Sequence, residues 1–442
     1  MADFEREEEY DEEMERREFR RRRRIRNQLI AYISTAVILA GIMGGAVFGI
    51  HRILTVVNDR KHAQELQDQL DELAEKESEP VVVGAPESTA PAQERSQLDE
   101  IVDNCIAEMT LEEKVAGLFI VSPDALTGAN PAIKAGDTTR EKLNQYAVGG
   151  LIYFERNIQN ETQLKEMISG TNSYTKFPLF IGVDEEGGTV SRLAGKGLAE
   201  NVGSMAEIGA TGDTAQAREA GSSIASYLSD FGFNLNFAPV ADVITDENAV
   251  IGDRSFGNNA GEVGMMVAAA VEGMQEGGVS SCLKHFPGLG SSTEDTHAAM
   301  VVSEQTLEEF ESGEFLSFQA GIDAGADMVM VSHLSVPSII GDNTPSSLSG
   351  KMITEILRGQ LGFEGVVITD ALDMGAITEY YSSGDAAVKA IQAGADMLLM
   401  PENFEEAYES LLQAVNDGTI SEERIDESLR RIYRIKRKDA AQ

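Results

Sequence analysis

The sequence predicts an α/β protein: a closed (β/α)8 TIM-type barrel behind an N-terminal transmembrane helix and stalk. Two patterns point to the barrel and a third to the anchor. Eight short apolar runs recur at intervals of roughly 30 to 40 residues, with one wider gap before the fourth. Between them lie stretches that read as amphipathic helices, such as Ala215–Phe231, Gly261–Glu276 and Phe404–Asp417. Ahead of both stands an uncharged, largely apolar run from Gln28 to Ile50.

The apolar runs place strands at Ala116–Val121, Gly150–Phe154, Leu179–Val183, Leu235–Pro239, Ser280–His285, Met328–His333, Gly365–Asp370 and Asp396–Met400. Continuous apolar strands alternating with helices indicate a parallel sheet covered on both faces. Eight such units in one domain indicate closure into a barrel. A doubly wound open sheet is the alternative, but no G-x-G-x-x-G follows an early strand.

The N-terminal part divides by composition. Residues 1–28 are almost entirely charged, acidic from Asp3 to Glu18 and then basic through Arg20, Arg21, Arg22, Arg23, Arg24 and Arg26. Such a tract cannot form a core. Residues 29–53 hold about the 20 apolar residues a bilayer-spanning helix needs. The arginines before this span place the N-terminus in the cytoplasm and everything after His51 outside. A cleaved signal peptide is the competing reading, but the run is long for one and no clear A-x-A site follows it. Gly41, Gly45 and Gly49 form two overlapping GxxxG steps, which suit either self-association through the membrane helix or a glycine-rich face toward lipid. Residues 54–96 read as a stalk with Leu66, Leu70 and Leu73 at helical spacing, then a Pro/Ala/Ser-rich linker. The barrel is expected over 97–442.

Composition narrows the partners. A formal net charge of −38 repels phosphate backbones, which argues against nucleic acid. The two cysteines, Cys105 and Cys282, read as buried thiols. No CxxC or Cys/His cluster points to a metal, and no cofactor is expected.

The polar residues that stand out fall just after the strands. Asp184, Glu185 and Glu186 follow the third, and Asp242, Asp253 and Arg254 follow the fourth. Lys284, His285, Asp295 and His297 follow the fifth; His333 ends the sixth and Asp370 the seventh. In a parallel barrel these positions converge on the C-terminal mouth, where barrel enzymes keep their sites. Asp370, ending an apolar strand, suits a nucleophile or general base, or else a carboxylate paired with Lys284 or Arg254. Asp295, two residues before His297, suits a carboxylate that orients an imidazole proton shuttle, or else a surface loop. Arg192, Arg254 and Lys284 suit hydroxyl binding, carboxylate neutralisation or both. An Asp–Glu pair within Asp184, Glu185 and Glu186 also suits a mechanism assisted by a substrate acetamido group.

Four segments together resemble glycoside hydrolase family 3: Val183–Arg192 (VDEEGGTVSR), Ile251–Gly257 (IGDRSFG), Lys284–Gly288 (KHFPG) with Asp295–His297 (DTH), and Thr369–Met374 (TDALDM). The likeness spans roughly residues 97–436 and is greatest to the single-barrel β-N-acetylhexosaminidase branch that acts in peptidoglycan recycling. It implies a retaining enzyme with Asp370 as nucleophile and His297 as acid/base, oriented by Asp295 on a loop that closes over the sugar. Asp184, Arg192, Arg254, Lys284 and His285 would bind a terminal N-acetylglucosamine of a glycan or muropeptide. Leu289, Ser291 and Thr296 stand where the commonest family pattern has His, Asp and Ser, which bears on loop contacts rather than on the dyad. The alternatives are a β-glucosidase or β-glycoside phosphorylase on the same fold, and a non-enzymatic sugar-binding scaffold at the membrane.

Overall fold

A computed structural model of the chain describes residues 90–294 and 299–438. The charged tail, the span 29–53, most of the stalk, and the residues Asp295 and His297 lie outside the described residues. The described residues belong to one compact unit.

The eight expected strands are all present. They are β1 (Phe119–Val121), β2 (Gly150–Tyr153), β3 (Phe180–Val183), β4 (Leu235–Asn236), β5 (Ser280–Phe286), β6 (Met328–Val331), β7 (Val366–Thr369) and β8 (Leu398–Leu399). Each is shorter than or shifted from its apolar run, except β5, which extends one residue beyond it. The largest difference is at the start: Leu111–Ala116 is a helical turn closed by a Thr110–Glu113 capping box, so β1 begins only at Phe119. All residues of these eight strands are buried, with none of the alternation a half-exposed sheet would show.

Neighbouring strands pair in parallel from β1 through β7, and β1 also pairs with β8 through Phe119–Leu398 and Ile120–Leu399. The last seam, between β7 and β8, is closed by an Ile368–Met397 bridge and by Thr369 N–H donating to Met397 O at 3.1 Å. The sheet is therefore a closed barrel, not an open doubly wound sheet.

Helices cover its outside. The ring includes α1 (Asp137–Gln145), α2 (Glu161–Ser173), α3 (Thr214–Phe231), α4 (Ala260–Glu276), α5 (Glu314–Asp323), α6 (Lys351–Gln360), α7 (Ser383–Ala393), α8 (Phe404–Asn416) and α9 (Glu422–Lys436). Helix α3 starts where Asp213 accepts from Ala215 N–H and stops at Gly232 in the left-handed region. Its crossing with α4 needs small residues: a Cβ on Gly221 would meet Ala270 O at 2.4 Å, and one on Gly273 would meet Arg218 O at 2.1 Å. Phe286 on β5 stacks on Phe315 of α5 and meets Phe318 edge-on, at 5.4 and 5.2 Å. A further helix, Ala90–Ala107, begins inside the stretch read as linker and pairs with α9 through Asp99–Arg434 and Asp103–Arg430. Among the described residues no helix is long and apolar enough to cross a membrane. Both cysteines are free thiols. Cys282 is buried as expected, but Cys105 is only partly so, because it sits on this outer helix.

Candidate active site

The C-terminal ends of the strands gather a charged ring. After β3 the chain turns into a small hairpin, Glu185–Gly187 against Val190–Ser191. This hairpin puts Asp184 and Glu186 on the mouth. Lys284, near the end of β5, reaches both: its Nζ lies 2.8 Å from Asp184 Oδ1 and 2.6 Å from Glu186 Oε1. Arg254, from the turn Gly252–Arg254, grips Glu186 through Nε at 2.7 Å and a terminal nitrogen at 2.8 Å. That two-pronged contact fixes the guanidinium plane.

The same arginine donates to His285 Nε2 at 3.3 Å, while His285 Nδ1 lies 2.7 Å from Asp242 Oδ2. A guanidinium can only donate, so Nε2 is the acceptor and the ring proton sits on Nδ1, donated to Asp242. Asp242 is fully buried and its other oxygen accepts from the amides of His285 and Leu289. It therefore fixes both the imidazole and the start of the following loop.

Burial alone pushes the Glu186 carboxyl up, but the Lys284 and Arg254 charges outweigh it and hold its pKa at about 2. Burial likewise opposes the Lys284 charge, yet Asp184 and Glu186 keep its pKa above the ordinary lysine value. Glu186, Lys284 and Arg254 are thus ionised at neutral pH, and their charges are locked by mutual contacts. Lys284–His285 and Phe286–Pro287 are cis peptide bonds.

Glu185 does a different job. Its Oε2 accepts from the amides of Arg192 and Leu193 at 2.6 and 2.8 Å, and its Oε1 from Ala194 N–H and the Tyr227 hydroxyl, both at 3.0 Å. With both oxygens occupied and the side chain buried, it is a backbone cap for the segment 192–194. This removes Glu185 as a member of an acetamido-assisting Asp–Glu pair. Arg192 leaves that segment and meets Asp184 at 3.8 Å.

Asp370 follows β7, the strand opposite β3 in an eight-stranded ring. Its Oδ1 accepts from Ala371 N–H at 2.8 Å, and its own N–H donates to Val331 O. The buried His333 holds the next carbonyl, Ala371 O, through Nε2–H at 2.8 Å, which makes it a support for this turn. Burial pushes the Cys282 thiol up; Lys284 opposes that, while Asp184 and Asp370 both add to it. The two carboxylates are thus within electrostatic reach of one buried atom beneath the mouth. Asp253 is exposed and stands apart from the ring.

Sequence reasoning missed Glu314. It is buried on α5, with Oε2 accepting from Val243 N–H at 2.6 Å and Oε1 from Gly290 N–H at 3.1 Å. It holds the chain after Asp242 to the chain after His285. Gly290 has no alternative, since a Cβ there would meet Val243 O at 1.7 Å. A signal was present: Glu314 shares the helical face of Phe318 and Gly321, at i, i+4 and i+7, where an apolar residue is expected. Among the described residues, no group of three or more His, Cys, Asp or Glu side chains is placed to hold a metal ion.

A closed parallel barrel with a locked ring of hydrogen-bonding charges at its mouth, facing a strand-end aspartate, has the architecture of a barrel enzyme. The family model for the glycosyl hydrolase family 3 N terminal domain matches residues 110–435, and the chain belongs to that family. It is 32% identical over 330 residues to Beta-hexosaminidase A of Pseudoalteromonas piscicida, covering 67% of this chain and 54% of that protein. It is 35% identical over 291 residues to a Beta-hexosaminidase of Xanthomonas campestris, covering 64% of this chain and 85% of that one. The solved structure of a glycoside hydrolase family 3 beta-N-acetylglucosaminidase from Paenibacillus sp. str. FPU-7 superposes with a TM-score of 0.70 at 37% identity, over 75% of this chain and 63% of that one. The chain thus spans about half the length of the Pseudoalteromonas relative. The family expected from the four motifs is the family found.

Proposed function

We propose that the chain is a retaining exo-β-N-acetylhexosaminidase that hydrolyses terminal β-linked N-acetylglucosamine from cell-wall glycan or muropeptide fragments. The observation that carries this is the ring of Asp184, Lys284, Glu186, Arg254 and His285 lying across the mouth from the strand that ends at Asp370. The names of the relatives support the choice of sugar. In the reaction, Asp370 attacks the anomeric carbon while His297, oriented by Asp295, donates a proton to the departing glycosidic oxygen. Water, deprotonated by the same His297, then releases the sugar from Asp370 and restores the carboxylate. A His/Asp dyad thus takes the place of the usual second carboxylate.

A panel of nitrophenyl glycosides, with and without phosphate, tests this. Release from the N-acetylglucosaminide, independent of phosphate, is expected. Release from the glucoside alone would make the enzyme a β-glucosidase, sugar phosphate as product would make it a phosphorylase, and no turnover would favour a binding scaffold. Asp370→Asn should lower kcat on the order of 10³-fold or more. A 2-fluoro glycosyl donor should label the peptide holding Asp370, as read by mass spectrometry; normal turnover by the variant excludes it as nucleophile.

The same proposal places the enzyme in the cell membrane as a single-pass protein, N-terminus inside and barrel outside. The apolar span 29–53 and the arginines before it support this. Retention in carbonate-washed membranes, lost when 29–53 is deleted, is the expected result. Gly41, Gly45 and Gly49 support self-association of that span.

A further inference from the structure

Beside the ring lies an open cavity of about 450 Å³, lined by Phe154, Glu155, Arg156, Arg192 and Lys196. It concentrates three cations on the surface of a chain whose net charge is −38. Each cation is held loosely: the acids that face Arg156 and Arg192 are engaged elsewhere, and the acid that faces Lys196 is solvent-exposed. Arg156 lies over the Phe154 ring at 4.6 Å, and its acid, Asp124 at 3.3 Å, already accepts from Asn157 Nδ2 and Ala132 N–H at 2.8 and 2.9 Å. Lys196 is 3.8 Å from Glu155, which is 68% exposed. Arg192 is 3.8 Å from Asp184, whose closer partner is Lys284 at 2.8 Å. The Arg192 Nε is buried and, among the described residues, has no hydrogen-bond acceptor. Such an array has donors left over for an anion.

Its position says which part of a ligand it meets. Phe154 and Arg156 follow β2, and Arg192 and Lys196 follow β3, whereas Asp370 follows β7 on the opposite side of the ring. A sugar whose anomeric carbon lies at Asp370 turns its far hydroxyls toward Asp184 and Arg192. The cavity continues beyond those hydroxyls, away from the leaving group. A neutral hydroxyl has no need of three cations.

We propose that this cavity is a subsite for an oxyanion ester, phosphate or sulfate, carried on a hydroxyl of the terminal sugar remote from its anomeric carbon. The proposal rests on the sugar-binding reading of the mouth given above. Glu185 contributes indirectly: by capping the amides of residues 192–194 it sets the positions of both Arg192 and the turn that carries Lys196.

Calorimetric titration of the full chain with N-acetylglucosamine, its 6-phosphate and its 6-sulfate tests the assignment without requiring turnover. Both esters should bind about tenfold more tightly than the neutral sugar, as expected for added charge-assisted hydrogen bonds. Lys196→Ala should remove most of that preference while leaving neutral-sugar affinity unchanged, and Lys196→Glu should invert it. A larger gain for phosphate than for sulfate would assign the natural group to a phosphate ester, and the reverse to a sulfate ester. Equal or weaker binding of both esters overturns the subsite, as does a preference that survives Lys196→Glu or a variant that weakens all three sugars alike. Binding of none of the three overturns it too. Failure to hydrolyse the nitrophenyl N-acetylglucosaminide, by contrast, sinks the proposed reaction and leaves the ester preference measurable.

Discussion

The two ends of the barrel bury charge in opposite arrangements. At the mouth, two carboxylates, Asp184 and Glu186, share Lys284, and Arg254 and Arg192 remain partly open to solvent. At the base, one fully buried carboxylate, Asp396 ahead of β8, is met by Arg358, Arg431 and Arg424. Ser428 Oγ–H and Val367 N–H donate to it as well. The spare donors of the basal arginines go to backbone: Arg358 to Phe363 O and Gly365 O, and Arg424 to Ala395 O. The same residue types thus make a receptor at one end and a clasp across the β7–β8 seam at the other. What separates the two is whether donors are left over for a ligand.

Swapping one carboxylate at each end is the severest test of that distinction. Asp396→Ala leaves three partly buried guanidinium groups without their fully buried anion and should cost about 3–5 kcal/mol of stability by urea unfolding. The kcat of the fraction that stays folded should not change. Glu186→Gln should unfold the protein less, because Lys284 keeps Asp184 and the amide keeps an oxygen for Arg254, yet it should lower kcat/KM on the order of 10²-fold by misplacing the ring. A loss of kcat from the basal variant, or none from the mouth variant, would break the comparison.

Acid titration sharpens it. Glu186 has a native pKa of about 2 against an ordinary 4.5, so its stabilising contribution is complete above pH 4.5 and fades as pH falls toward 2. Glu314 runs the other way. Burial, then the nearby Asp242 charge, hold its carboxyl well above 4.5 despite the two amides it accepts from. Its contribution is therefore complete below pH 4.5 and is lost as pH rises through the raised value. Unfolding free energy followed from pH 2 to 8 should lose the low-pH slope in Glu186→Gln and the opposing slope in Glu314→Gln. Unchanged slopes in both variants would refute these assignments.

The smallest effect belongs to the capping carboxylate. Tyr227→Phe deletes one hydrogen bond to Glu185, worth about 1 kcal/mol. Because Glu185 positions Arg192, KM should rise a few-fold with kcat held. A change in kcat alone would place Tyr227 closer to the chemistry than its contacts do.

Much of this was legible in the sequence, for a physical reason. Strands of a closed parallel barrel are buried on both faces, so they stand out as continuous apolar runs, and the polar residue that ends each run marks the mouth. That is how Asp184, Lys284, His285 and Asp370 could be placed. What one sequence withholds is pairing. Glu186 takes its ionisation from Lys284 and Arg254, and His285 takes its tautomer from Asp242, across separations of 43 to 98 positions. Glu185 and Glu186 are adjacent and chemically alike, yet one caps backbone and the other holds the ring, because successive residues of the hairpin face opposite ways. Glu314 was hidden for a related reason: the donors it accepts from are the main-chain amides of Val243 and Gly290, and the residue types at those two positions do not record them.

The seam between β7 and β8 also sets an order of assembly. Asp370 follows β7, and the strand that flanks it on one side is the last of the eight to leave the ribosome. Until Leu398 and Leu399 pair with both β1 and β7, the strand bearing the proposed nucleophile is an open edge, and the first strand is another. Circularity therefore leaves the proposed nucleophile beside an unfinished edge until β8 has been made, so the proposed site cannot be complete before Leu399 has emerged.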